Sequence, residues 1–219
     1  MTLLTYIICS AFCILLQLLV EIKSQTNLDL REAHTATFIN NKLYILGGVI
    51  PPFRNKVSPK QTFLYLDCST SFNTNELEWI DLSNTNNVVP PHDFAAAVKG
   101  GANNNTLILY GGESLDAEHM SLVYTFNTLN NTWSVPTLAG ISPTAKLSIT
   151  PVVDYNGLMY LYGGATSELF SNGTYTSDMF ILDTINLSLK KANSVNAPSP
   201  RVKYGAVLLP NKDIIYMGM

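Results

Sequence analysis

The residues through which this chain could hold a metal or supply a nucleophile are few. They are His34, His92 and His119, the single cysteine beyond the apolar leader (Cys68), and a small cluster of Asp116, Glu118 and His119. None stands at a spacing that such chemistry requires. The sequence has no H-x-x-H-type pair, no G-x-S-x-G elbow and no phosphate-cradling glycine loop. The Asp116 to His119 cluster reads as a solvated loop. Cys68 reads as a half-buried thiol at a strand end, with a bond to another chain as its alternative. His34 and His92 read as structural residues beside strand starts. The expectation is no enzyme, no cofactor and no metal site.

Two further sets of residues suit binding rather than catalysis. Phe53, Arg54, Glu118, His119, Phe170 and Tyr175 are aromatic and charged residues in the longer connecting loops, the types that dominate interface energetics. Arg31, His92, Lys146 and Arg201 recur at spacings of 61, 54 and 55 residues, each three before His34, Ala95, Ile149 and Tyr204. Converging at a channel mouth, this basic column could hold an acidic ligand or glycan. The favoured reading is structural: each cation caps carbonyls or pairs with an acid of the next repeat.

Those residues need elements to position them. Short apolar strands end in di-glycines at Gly47-Gly48, Gly111-Gly112 and Gly163-Gly164, and a fourth copy ends at Gly218. The spacings are 64, 52 and 55 residues, a period that marks propeller or solenoid arrays. Two strands precede each di-glycine: His34–Asn40 with Lys42–Leu46, Phe94–Lys99 with Thr106–Tyr110, Leu147–Asp154 with Leu158–Tyr162, and Lys203–Leu209 with Asp213–Met217. Two more follow each complete pair: Phe63–Asp67 with Glu78–Leu82, Leu122–Asn127 with Thr132–Val135, and Met179–Asp183 with Ser188–Lys191. Four antiparallel strands per period make one propeller blade. The expected blades span about 31–82, 92–135 and 146–191, with a partial one over 201–219. Trp79 and Trp133, on fourth strands, are each expected to fill the space between neighbouring blades.

The glycine pairs, the strand patterns around Tyr65-x-Asp67 and Tyr124 to Asn127, and the two tryptophans resemble the kelch-repeat β-propeller superfamily, including galactose-oxidase-like and attractin-like propellers. The resemblance runs from residue 31 to 219 and departs at Leu189, near a tryptophan position, and at Met219, where a second glycine is expected. It implies an all-β propeller of about six or seven blades, within the general range of four to eight. Three and a half blades fall short of that, so a truncated product or gene fragment is expected, with a ring closed by several chains as the alternative. The resemblance also raises a copper radical oxidase, whose site needs His and Tyr ligands and a thioether Cys. The three histidines and Cys68 do not supply that set at any recognisable spacing.

Compartment and faces complete the sequence reading. The chain has 219 residues, 47% hydrophobic and 13% charged, with a formal charge of −3, which gives no basis for nucleic-acid binding. From Leu3 to Val20 no residue is charged. This predicts a signal peptide over 1–24 ahead of a propeller region over 25–219, or, if uncleaved, a membrane anchor. Four Asn-x-Ser/Thr sequons stand at Asn104, Asn130, Asn172 and Asn186. In an up-and-down blade, first-to-second and third-to-fourth turns share one face, and three of the sequons fall there. The opposite face holds the longer loops and is the expected binding face. The expectation is a secreted or surface-displayed, non-catalytic module with a protein or glycan ligand. A degenerate copper oxidase and a fragment without autonomous function are the alternatives.

Overall fold

The computed structural model describes residues 28–52, 55, 57–115, 120–166, 174–193 and 195–218. The leader predicted over 1–24 lies outside them. So do Phe53, Arg54, Asp116, Glu118, His119, Phe170 and Asn172.

Among the described residues four sheets follow one another along the chain, and a fifth, of two short strands, is interleaved with the second in sequence. The first is antiparallel, in the order β1 (Thr35–Ile39), β2 (Lys42–Leu46), β3 (Phe63–Asp67), β4 (Trp79–Asp81). A short strand β5 (His92–Asp93) then precedes the second sheet, which opens with β6 (Ala96–Gly100) and β7 (Thr106–Tyr110). β8 (Glu113–Ser114) pairs back onto β5, and β9 (Val123–Asn127) with β10 (Thr132–Ser134) completes the sheet. The third comprises β11 (Ala139–Gly140), β12 (Val152–Val153), β13 (Leu158–Tyr162), β14 (Met179–Asp183) and β15 (Ser188–Lys191). The last described pair is β16 (Gly205–Leu208) with β17 (Ile214–Met217). The architecture is all-β, and β1, β6, β12 and β16 lie beside one another as the innermost strands.

Sequence chemistry accounts for the strands and their ends. β7 is buried from Leu107 to Tyr110, as a central strand covered on both faces must be. β1 alternates buried and exposed residues. Asp67, Asn127 and Asp183 close the third strands, and each side chain accepts the N–H two residues on, from Ser69, Leu129 and Ile185, at 2.9 Å. These Asx turns explain why an Asp or Asn ends the tyrosine-bearing pattern.

The inner strands differ from expectation at their starts. Ala33, Phe94, Ser148 and Lys203 adopt left-handed backbone with φ of 59°, 52°, 58° and 50°, so the ladders begin after them. The inner strand expected over Leu147–Asp154 shrinks to Val152–Val153. Pro151 has no N–H to give a ladder, and Leu147 instead bridges to Ala165. β11, which no repeat signal announces, adds a fifth strand to the third sheet.

Two buried clusters fasten the sheets face to face. One joins Tyr44, Leu46 and Phe63 of the first to Leu109, Phe126 and Trp133 of the second. The other joins Ile108 and Tyr110 to Met159, Leu182, Leu189 and Tyr204. Trp133 packs 5.3 Å from Phe63 and 5.0 Å from Phe126, ring to ring. Leu189 occupies the matching register, opposite Leu182 as Trp133 is opposite Phe126, and is also buried.

Among the described residues Trp79 does not fill a space between blades, the role expected of it. It is opposite Leu66 in that same register, but its face of the first sheet points away from the second, and it is only half-buried and outside both clusters. Trp133→Ala is expected to cost about 3–5 kcal/mol, and Trp79→Ala about 1 kcal/mol. Denaturant midpoints of the two variants test this, and equal losses would overturn it.

Candidate functional site

The glycine pairs are where one blade receives the next. Gly47, Gly111 and Gly163 have φ of 68°, 68° and 65°, and a Cβ on them would lie 2.6, 2.3 and 2.7 Å from the backbone oxygens of His92, Lys146 and Arg201. No side chain fits in that gap. Gly48, Gly112 and Gly164 donate their N–H groups to those same oxygens at 2.8, 3.3 and 3.0 Å. The basic column is therefore first a backbone feature: each member's carbonyl is seated in the preceding blade's di-glycine.

The side chains of the column do not converge on a channel. Lys146 is only 2% exposed and turns into its own blade. Its Nζ donates to Gly163 O at 2.6 Å, Asp178 Oδ1 at 2.7 Å and Thr176 Oγ1 at 3.3 Å. Asp178 directly precedes β14, and the equivalent positions in the other blades, Thr62 and Leu122, carry no acid. Burial works to raise the Asp178 carboxyl, but the hydrogen bond and charge of Lys146 outweigh it and hold the group below the usual carboxylate range. Arg201 donates through Nε to Ser199 O at 3.2 Å and lies partly exposed. Burial lowers the pKa of Arg31 against the opposing charges of Asp29 and Asp81.

His92 shows why the column tolerates an imidazole. In the other junctions a tyrosine before the di-glycine satisfies a carbonyl of the incoming connector: Tyr110 Oη donates to Thr144 O at 3.0 Å, and Tyr162 Oη to Ser199 O at 3.2 Å. Burial raises the Tyr110 phenol to about 12, so it remains a donor. At the first junction Leu46 replaces the tyrosine, and His92 Nδ1 serves the equivalent Pro90 O at 2.8 Å. A carbonyl only accepts, so the proton resides on Nδ1. Burial lowers the His92 pKa and keeps the ring neutral.

A different set of residues surrounds the axis. Phe94 N donates to Ala33 O at 3.0 Å, Ser148 N to Phe94 O at 3.0 Å, and Lys203 N to Ser148 O at 2.8 Å. These are the four left-handed residues, linked blade to blade as an arc of hydrogen bonds. Holding non-glycine residues in that conformation costs of order 1–3 kcal/mol each, strain that concentrates at ligand sites. The arc floors an open cavity of about 410 Å³, which Glu32, His34, Ala95, Ile149 and Thr150 complete. Lys203 Nζ lies 5.5 Å over the Phe94 ring. Ser148 Oγ is buried with no hydrogen-bond partner among the described residues. Burial, then the charge of Arg31, lowers the His34 pKa. The cavity lining thus carries the Lys203 ammonium, the Glu32 carboxylate, the Ser148 and Thr150 hydroxyls and the His34 imidazole, with the Phe94 ring beside Lys203.

The cavity opens on the face of the longer loops, where the inner strands begin. Of the loop residues expected to bind, Tyr175 is described: it is 47% exposed and its backbone bridges to Ala165. The short turns gather on the opposite face. Asn40 Nδ2 donates to Thr128 Oγ1 at 3.3 Å, and Gly101 N to Thr184 Oγ1 at 3.2 Å, each joining a first-to-second turn to a third-to-fourth turn of the next blade. Asn104, Asn130 and Asn186 are exposed there.

Sequence reasoning missed Ala33, Phe94, Ser148 and Lys203. Their shared signal is an offset of two from the basic column, with no common residue type. Among the described residues no three His, Cys, Asp or Glu side chains come together in a way that could hold a metal ion.

The chain matches the model of a family described as the KLHDC2/KLHL20/DRC7 Kelch-repeats domain, over residues 26–219.

Proposed function

We propose that this chain, which belongs to that Kelch-repeat family, works outside the cytosol as a non-catalytic module that takes its ligand at the axial cavity on the longer-loop face. A Kelch-repeat domain is a protein-interaction module, and a protein is the ligand class favoured here. The observation that carries the choice of site is the arc of left-handed residues with the buried, unpartnered Ser148 Oγ at its centre. A buried hydroxyl without a partner is costly, and a ligand acceptor or donor relieves it. Lys203 and Glu32 give the lining one charge of each sign, which suits a polar segment of the partner. Export is supported by the uncharged leader from Leu3 to Val20 and by sequons exposed at Asn104, Asn130 and Asn186.

The test has two parts. Expressed in a eukaryotic host with its own leader, the protein is expected in the medium or on the cell surface, and glycosidase treatment is expected to shift it on a gel. An unshifted cytosolic product would sink the compartment. Ligands are then sought on arrays of extracellular proteins and, separately, of glycans. Ser148→Val, Lys203→Glu and alanine at Phe53, Phe170 or Tyr175 are expected to weaken the protein hit at least about tenfold, the scale of one lost hydrogen bond to a charged group. Removing the three sequons of the short-turn face is expected to leave it unchanged. The reverse pattern would move the site to the short-turn face, and binding confined to glycans would overturn the ligand class.

A further inference from the structure

The complete sheets do not all end alike. In the third, the connector from the second blade runs along the outer edge, where β11 pairs in parallel with β15. Ala139 N donates to Leu187 O at 2.9 Å, and Ile141 N to Leu189 O at 3.1 Å. Between them Gly140 has φ of 90°, and a Cβ there would lie 2.2 Å from Leu189 O. The chain closes this edge with its own small–glycine–aliphatic segment.

β10 holds the same position in the second sheet without such a strand. Trp133 faces Phe126 in the register in which Leu189 faces Leu182, and the turn residues Asn131 and Leu187 share φ of 55° and 52°. The carbonyls of Asn131 and Trp133 thus point outward from β10 as those of Leu187 and Leu189 do from β15. Among the described residues no strand lies on that side of β10, and no backbone hydrogen bond reaches it. Thr132 and Ser134 are exposed.

The preceding connector is held away from this edge by its own chemistry. It makes a 3-10 turn over Ser83–Thr85, and Asn86 then knots the loop. The Asn86 side chain accepts N–H groups from Val88 and Val89 at 3.2 and 2.9 Å and donates to Val89 O at 3.0 Å. Beside the end of β10 this leaves a cavity of about 500 Å³ between Val88 and Pro90 on one side and Tyr124 and Val135 on the other.

We infer that the open edge of β10 is a second interaction site, which receives an extended segment of a partner protein as an added parallel strand. Its preferred occupant has the chemistry β11 displays on β15: a small residue, a glycine where the carbonyl crowds, then an aliphatic residue. Main-chain hydrogen bonds supply affinity in this mode, and the glycine supplies selectivity. An unpaired edge is otherwise a liability that folds cover or blunt. The site lies at the rim and does not depend on the axial cavity.

The probe is an end-blocked peptide of residues 136–143, Pro-Thr-Leu-Ala-Gly-Ile-Ser-Pro, added to the full chain after glycosidase treatment. Hydrogen exchange at the Trp133 amide is expected to slow about tenfold or more, with β15 unchanged. N-methylation of the peptide's Ala and Ile amides removes both donors and is expected to weaken binding at least about tenfold. N-methylation of its Gly, whose N–H faces away, is expected to leave binding within about threefold, below the effect of one hydrogen bond. Four outcomes would overturn the inference: no binding at millimolar peptide, protection at β15 rather than β10, indifference to N-methylation, or dimerisation of the chain through β10 in place of peptide binding.

Discussion

Gly111→Val is expected to destabilise the protein by at least about 4 kcal/mol, a loss of the size that needs a named structural cause. The cause is double. A β-branched residue at φ of 68° is a steric outlier. Its Cβ would also stand 2.3 Å from Lys146 O, and that oxygen cannot retreat without losing the Gly112 N–H bond at 3.3 Å that docks the third blade. Gly111→Ala keeps the collision without the branching and is expected to cost about 2–3 kcal/mol, the range for overpacking a tight site. The control is Gly205→Ala, where the nearest atom to a new Cβ is Met217 O at 3.8 Å and the backbone is not left-handed. It is expected to change stability by about 0.5 kcal/mol or less. Denaturant unfolding followed by tryptophan fluorescence reads all three, since Trp133 sits in the neighbouring interface. A Gly111→Val protein as stable as the Gly205→Ala control would remove the di-glycine from its role as the blade junction.

Lys146→Met is expected to cost about 3 kcal/mol, the loss that follows when one member of a buried ion pair is removed. Methionine preserves most of the volume, so the effect isolates the ammonium. Its removal strips donors from Gly163 O and Asp178 and leaves a carboxylate only 24% exposed, with the exposed Lys191 at 3.5 Å as its remaining cation. Adding Asp178→Asn is expected to restore about 1–2 kcal/mol of that loss, within the usual range for coupled contacts. The pair also sets a pH dependence. The Asp178 carboxyl lies below its unfolded value, because Lys146 outweighs burial. Its contribution is therefore present above the unfolded carboxylate pKa of about 3.9 and lost as pH falls through the folded one. The stability gap between the wild type and Lys146→Met is expected to stay constant near neutrality and to narrow below about pH 4. A gap independent of pH down to 2, or a double variant no more stable than Lys146→Met, would show that the lysine acts by packing alone.

The features legible in residue order are those that short-range chemistry dictates. The di-glycines, the Asp67, Asn127 and Asp183 turn residues and the buried second strands announce a four-stranded blade and its period. They do so because each acts within its own strand pair, where backbone freedom, an Asx turn or alternation leaves a mark in residue type. The regular recurrence of Arg31, His92, Lys146 and Arg201 was legible in the same way. Its purpose was not, because the element the blades share at that column is a backbone carbonyl, which any residue supplies. Only packing showed that Lys146 finds Asp178 within its own blade, and that His92 serves Pro90 because Leu46 stands where the other junctions have a tyrosine. Trp79 and Trp133 look alike in sequence, yet only Trp133 has a neighbouring blade on its face among the described residues.

The axial cavity belongs wholly to tertiary structure. Ala33, Phe94, Ser148 and Lys203 share no side-chain chemistry, so no pattern marks them. They become one site because each blade must turn sharply as it enters its innermost strand, and the turned N–H meets the carbonyl of the blade before. The strand β11 arises in the same manner. Ala139 and Gly140 carry no strand signal, and they pair with β15 because the connector crosses an edge that offers them carbonyls. The connector before it, knotted by Asn86, passes the same kind of edge without pairing. Local chemistry made the blades, and the contacts between blades decided where a partner can be held.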